Sequence, residues 1–413
     1  MAADERECQI VVATEHLDLV GRELGAGMTV AGENPRLGLT LVTLANAAET
    51  GRALAARRRA DYGGQEPEVD SDLDRVLTEL RLWSAHRYAG WMPTLGKNRT
   101  LSGVQFKPYT HGFDRPTVPA AGTVAPLPKP DHTLSRVSVG LFDTVLAPHR
   151  QLTGSYLADP DTLVGPIDDD GGERLWWEGH STFIAGIIRR HAPSAVLDVR
   201  TALRRVPGGS GDERWSMPLW DFADLLADYQ DAGVAVLNLS VGVATDDGRA
   251  PLVLERAIAQ LTPSMVVVAA AGNHGEPHAA TDGRPAPNAA LFPAALDNVI
   301  AVGALDGTGA AAFTPRGAGQ ADTAPWINVF APGVDVVSTY LGDGVPERVL
   351  VENADGSRSP VEFCGWAAWS GTSFATGEIT GAVANLLARG DSPQDAVKKV
   401  QAAYPRPEQS TDA

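Results

Sequence analysis

Four short motifs carry side chains suited to cleaving an acyl bond by nucleophilic attack. In VSVGLFDTVLAP an apolar run ends at Asp143, leaving a carboxylate where a buried strand would meet solvent, the edge at which open α/β sheets bind ligands. In EGHSTFIAG, His180 opens a helix whose small residues Ala185 and Gly186 permit close packing, a rigid mount for a general base. In WSGTSFATGEITG, Ser373 begins another helix, so its backbone N–H sits at the positive end of the helix dipole, where a developing oxyanion is stabilised. In VVVAAAGNHG, Asn273 ends a strand with an amide that can donate to the same oxyanion. Each alone has a plainer reading: a loop aspartate, a structural histidine, a serine N-cap, a turn asparagine. Together, in the chain order Asp, His, Ser, they describe a triad with Ser373 as nucleophile, His180 as base and Asp143 as its partner.

The elements needed to hold these groups are visible from Arg136 onward. Short runs that are apolar on both faces, at 136–143, 195–203, 234–242, 265–273 and 298–305, alternate with helical segments such as 224–233 and 252–262. That alternation predicts an α/β fold with a mostly parallel sheet. Residues 1–115 predict a small α/β N-terminal domain, with strands at 8–14 and 37–45 and helices at 16–25 and 72–90. Arg57, Arg58 and Arg59 read as a solvated helix face. A Pro- and Gly-rich linker spans 116–135, the main domain covers 136–405, and 406–413 form a disordered tail.

The stretch from about Arg136 to Arg389 resembles the subtilisin-like serine peptidases (the S8 family, or subtilases). GTSFA and AAAGN are its most specific motifs, and NLSVG, FPAALDNVIAVGA and NVFAPGVDVVST stand in the right places between them. The resemblance implies a subtilisin-like three-layer fold and a serine endopeptidase with Asp143, His180 and Ser373 as its triad. It implies an oxyanion hole made by Asn273 and the Ser373 N–H. It also implies backbone pairing of substrate with Ser240, Val241 and Gly242, and an S1 pocket walled by Ala270, Ala271 and Gly272 with His274 at its rim, where an acidic P1 residue would be favoured. The sequence departs from the family at Val145, Ser181 and Gly377, where Gly, Gly and Pro are usual. Those departures keep open a catalytically impaired scaffold that binds peptides or a partner protein. An esterase or peptide-maturation enzyme would use the same groups.

Two insertions, 206–222 and 341–369, the second with hairpin character, predict a narrower substrate range than that of a degradative protease. The N-terminal domain occupies the place of the family's inhibitory propeptide, and a regulatory, partner-binding role is the other expectation for it. No cofactor is expected. Calcium stabilises relatives, but Asp168, Asp169 and Asp170 read as a solvated loop, so no metal site is assigned. A net charge of −17 over 413 residues argues against nucleic acid and anionic membranes as partners. Residues 1–18 lack the charge pattern of a secretory signal, and the two cysteines, Cys8 and Cys364, read as free thiols. The expected location is therefore cytoplasmic, with a protein or peptide substrate.

Overall fold

The computed structural model describes residues 8–103, 115–157, 174–206, 214–277, 285–317, 322–353 and 357–407. The chain divides into two compact units. One comprises Met1–Thr100 with Pro218–Ala227 and Ala250–Gln260, and the other Leu101–Met217, Asp228–Arg249 and Leu261–Ala413.

In the first unit a four-stranded antiparallel sheet runs in the order Met28–Asn34, Leu39–Leu44, Gln9–Ala13, Leu95–Lys97. Ile10, Val12, Val42 and Leu44 bury one side of it with Leu54, Val76 and Leu80 of the helices Ala47–Tyr62 and Asp72–Arg87. Asn46 and Ser71 start those helices by accepting hydrogen bonds from the N–H groups of Glu49 and Asp74. The expected elements are present, together with the strand Met28–Asn34. That strand lies mostly in solvent and shifts register between Val30 and Gly32, so it carries little alternation for a sequence to reveal. The solvated arginine face is corrected at Arg58. Three consecutive helical residues point in directions 100° apart and cannot share one face. Arg58 turns inward and is buried, with Nε 2.5 Å from Glu79 Oε2 and Nη2 3.1 Å from Oε1, while Arg57 pairs with Glu23 and Arg59 with Glu66.

The second unit is built on a seven-stranded parallel sheet. Its order is Val329–Pro332, Ile300–Leu305, Val266–Ala270, Val236–Leu239, Val137–Asp143, Ala195–Thr201, Tyr156–Leu157. The α/β class and mostly parallel sheet are as the apolar runs predict. Chain order reverses at Val137–Asp143: the next strands go to one side of it and all later ones to the other. Asp143 therefore ends the strand at the topological switch point, where the crevice of such a sheet lies.

The helices His180–His191 and Thr372–Ala388 pack against each other and against this sheet. Gly186 permits the approach of the first to the strand Val336–Thr339, because a Cβ there would stand 2.3 Å from Thr339 Oγ1 and 2.4 Å from Ser338 Oγ. The expected helix at 224–233 is instead Leu219–Ala227, where Leu219, Phe222, Ala223 and Leu226 supply the buried stripe and Gly233 takes φ +68°. The second insertion does contain a hairpin, Glu347–Glu352 with Arg358–Phe363. Of the first insertion, 207–213 lie outside the described residues, and Arg204–Val206 pairs antiparallel with Arg214–Ser216.

Candidate active site

Asp143 and His180 meet where their elements end. His180 is the first residue of its helix, and its Nδ1 lies 2.7 Å from Asp143 Oδ1, with both residues fully buried. A carboxylate only accepts, so Nδ1–H donates and Nε2 is left as the basic nitrogen. Asp143 Oδ1 also accepts from the Thr144 N–H at 2.7 Å and the Thr144 hydroxyl at 3.2 Å. That hydroxyl in turn accepts from the Ser181 N–H at 3.2 Å, tying the carboxylate to the first turn of the His180 helix. His180 Nε2 is buried with no hydrogen-bond partner among the described residues.

Ser373 is the second residue of its helix, and Gly371 is the N-cap. The plainer reading of Ser373 as a cap therefore fails, and its buried Oγ has no hydrogen-bond partner among the described residues. The residue before it does the orienting. Thr372 donates to Asn273 Oδ1 from both N and Oγ1, each at 2.9 Å, and its hydroxyl accepts from the Gly272 N–H at 3.1 Å. Gly272 reaches this position at φ +108°, a conformation that glycine adopts without strain. With its oxygen fixed, the Asn273 amide presents Nδ2 as a buried donor with no partner among the described residues. A base, a hydroxyl and an amide donor thus stand buried and uncommitted, on frames that allow them little rotation.

A family profile describing the subtilases (peptidase S8) matches residues 135–405. The chain belongs to the subtilase family. It is 30% identical over 245 residues to a thermophilic serine proteinase of Bacillus sp. strain AK1, matching 59% of this chain and 49% of that protein. It is also 30% identical over 260 residues to subtilisin Savinase of Lederbergia lenta, covering 61% of this chain and 76% of that one. The chain thus spans about half the length of the first of these relatives. Among solved structures it resembles fervidolysin of Fervidobacterium pennivorans, with a TM-score of 0.56 at 18% identity, covering 94% of this chain and 55% of that one. That likeness supports a subtilisin-like fold.

Val241 and Gly242 belong to the strand Val241–Ala244, behind Ser240, whose hydroxyl accepts from Asn238 Nδ2 at 3.2 Å. A Cβ at Gly242 would stand 2.6 Å from Leu291. Gly103 and Ser102 of this chain pair antiparallel with Val241 and Gly242. Ala270 and Ala271 are fully buried beside Gly272. His274 is also fully buried, with Nε2 3.0 Å from the Ala289 carbonyl, so that nitrogen is committed rather than turned to a rim.

Of the three departures, Ser181 is buried with its N–H on Thr144, and Gly377 faces Ile187, to which a Cβ would come within 3.3 Å. Val145 follows Thr144 in the turn that leaves the Asp143 strand.

Aromatic rings surround the base. Trp177 lies 4.7 Å from the His180 ring, Trp369 5.3 Å and Phe374 5.5 Å, centroid to centroid. Tyr340 donates to the Trp176 carbonyl at 2.5 Å, and Arg174–Leu175 pairs with Val349–Leu350 of the inserted hairpin. Sequence patterning does not single out the tryptophans, although WW immediately before the EGH motif is a visible signal. Thr372 and Thr144 were missed as orienting groups because their work depends on partners distant in sequence.

Among the described residues no helix is long and apolar enough to cross a membrane, and no cluster of His, Cys, Asp or Glu is arranged to hold a metal ion. Asp168, Asp169 and Asp170 lie outside the described residues. Cys8 and Cys364 are free thiols.

Proposed function

We propose that this subtilase is a serine endopeptidase in a latent form, with Asp143, His180 and Ser373 as its triad. Ser373 Oγ attacks the peptide carbonyl while His180 Nε2 takes its proton, and Asp143 holds the imidazole and stabilises the imidazolium. The oxyanion is received by Asn273 Nδ2 and the Ser373 N–H, and the acyl-enzyme is then released by water through the same base. The observation that carries this reading is the set of buried, uncommitted His180 Nε2, Ser373 Oγ and Asn273 Nδ2, each oriented by a neighbour bonded elsewhere.

Two features support latency and selectivity. The pairing of Ser102 and Gly103 with Val241 and Gly242 fills the edge at which an extended substrate would add a strand. The inserted hairpin backs the tryptophans beside His180, which supports access for a restricted set of protein substrates, intracellular ones in our reading.

Labelling with a fluorophosphonate probe tests this proposal. We expect slow labelling of the full chain, faster labelling of Ser102→Pro, in which proline disrupts the pairing, and none of Ser373→Ala. If correctly folded wild type and Ser102→Pro both stay unlabelled, the peptidase reading falls.

A further inference from the structure

The helix that begins at His180 ends beside a cavity of about 180 Å³, lined by Asp131, His132, Arg136, Ser155, Arg189 and Ser194 among others. Arg189, in the last turn of that helix, is 4% exposed. Its Nη1 donates to the Ala192 carbonyl at 3.2 Å, and its Nε is buried with no partner among the described residues. Among the described residues it has no carboxylate partner, and the charged group that acts on it is a second cation, Arg136. Burial and Arg136 both push the Arg189 guanidinium below its ordinary range.

A buried cation without a counter-charge is costly, and a second cation beside it raises the cost. The remaining polar groups of the cavity do not answer that charge. Asp131 is an exposed carboxylate whose Oδ1 accepts from Thr133 N at 2.9 Å and from its hydroxyl at 2.6 Å. Ser194 and Ser155 spend their protons on the carbonyls of Asp131 and Leu152. The buried Arg189 and the exposed Arg136 thus both line a space large enough for a tetrahedral ion, which arginine's planar fork recognises well.

We propose that this cavity binds a small oxyanion of the phosphate type, held by Arg189 and Arg136, and that the bound ion braces the end of the helix opposite His180. The site needs no assumption about catalysis. A bound anion joins the cavity's loops to the helix, stabilising the folded chain by mass action.

The test uses the full chain and inorganic phosphate, titrated against sodium chloride at constant ionic strength. Thermal unfolding and calorimetric binding are both read. For wild type we expect the midpoint to rise by about 5 °C at a hundred-fold excess over Kd. Arg189→Gln should show no response to phosphate beyond that to chloride. Arg136→Gln, altered at an exposed position, should need about ten times more phosphate for the same shift, the loss of one charge-assisted contact. Equal responses of wild type to phosphate and chloride would overturn the proposal, as would an Arg189→Gln response matching wild type. If Arg189→Gln does not fold, an unchanged phosphate dependence in Arg136→Gln overturns it instead.

Discussion

Catalytic power at a site like this depends on donors already aimed at the charge that develops, and Asn273 is aimed by Thr372 rather than by substrate. Replacing Asn273 by Ala should lower kcat by ~10²–10³ with little change in KM, because the amide meets the oxyanion only in the transition state. Steady-state kinetics on a peptide ester checks this, and a loss confined to KM would remove Asn273 from the oxyanion hole. The four chemical groups were legible in sequence because each lies in a short motif at the end of an apolar run. Their supports were not. Thr372 reaches back 99 positions to Asn273, and Thr144 touches Ser181 across 37, so neither contact leaves a local pattern. His274, the sequence neighbour of Asn273, has its ring buried with Nε2 on the Ala289 carbonyl, a partner 15 positions away that leaves no local pattern either.

Elements hold these side chains through contacts that tolerate no added volume. The His180 helix crosses Val336–Thr339 at Gly186, and a methyl group there would collide with two hydroxyls that are themselves bonded to the carbonyls of Phe183 and Thr182. Gly186→Ala should cost about 1–3 kcal/mol in denaturant unfolding, and the displaced helix should slow probe labelling of Ser373 as well. A stable Gly186→Ala with full reactivity would show that this crossing has slack. Strands buried on both faces, such as Val137–Asp143, were read directly, because burial there forces a continuous apolar run. Leu219–Ala227 was misplaced toward 224–233 since LLADYQDAG has helical composition of its own, and only packing decides which turn is buried.

The pH response belongs to the whole molecule, since it sums over every group that folding perturbs. Burial lowers His191 from its usual 6.5 to about 4. Between those values the unfolded chain binds the proton and the folded chain does not, so stability falls as pH drops from about 6.5 to about 4. Glu378, 3.7 Å from His191, is raised by burial and acts in the opposite sense, gaining as acid is added. His191→Gln should therefore flatten the acid limb by about 1–2 kcal/mol, discounted for the partial exposure of the ring. Midpoints measured from pH 7 to 4 check this, and parallel profiles for variant and wild type would contradict it. The strand formed by Ser102 and Gly103 has a consequence at the same scale. In the latent form proposed above, its competitor is any extended peptide, but it is covalently tethered, so its local concentration is fixed at about the millimolar level whatever the protein concentration. Dilution cannot switch such an enzyme on. Output of that latent form should follow the number of strands displaced, one molecule at a time.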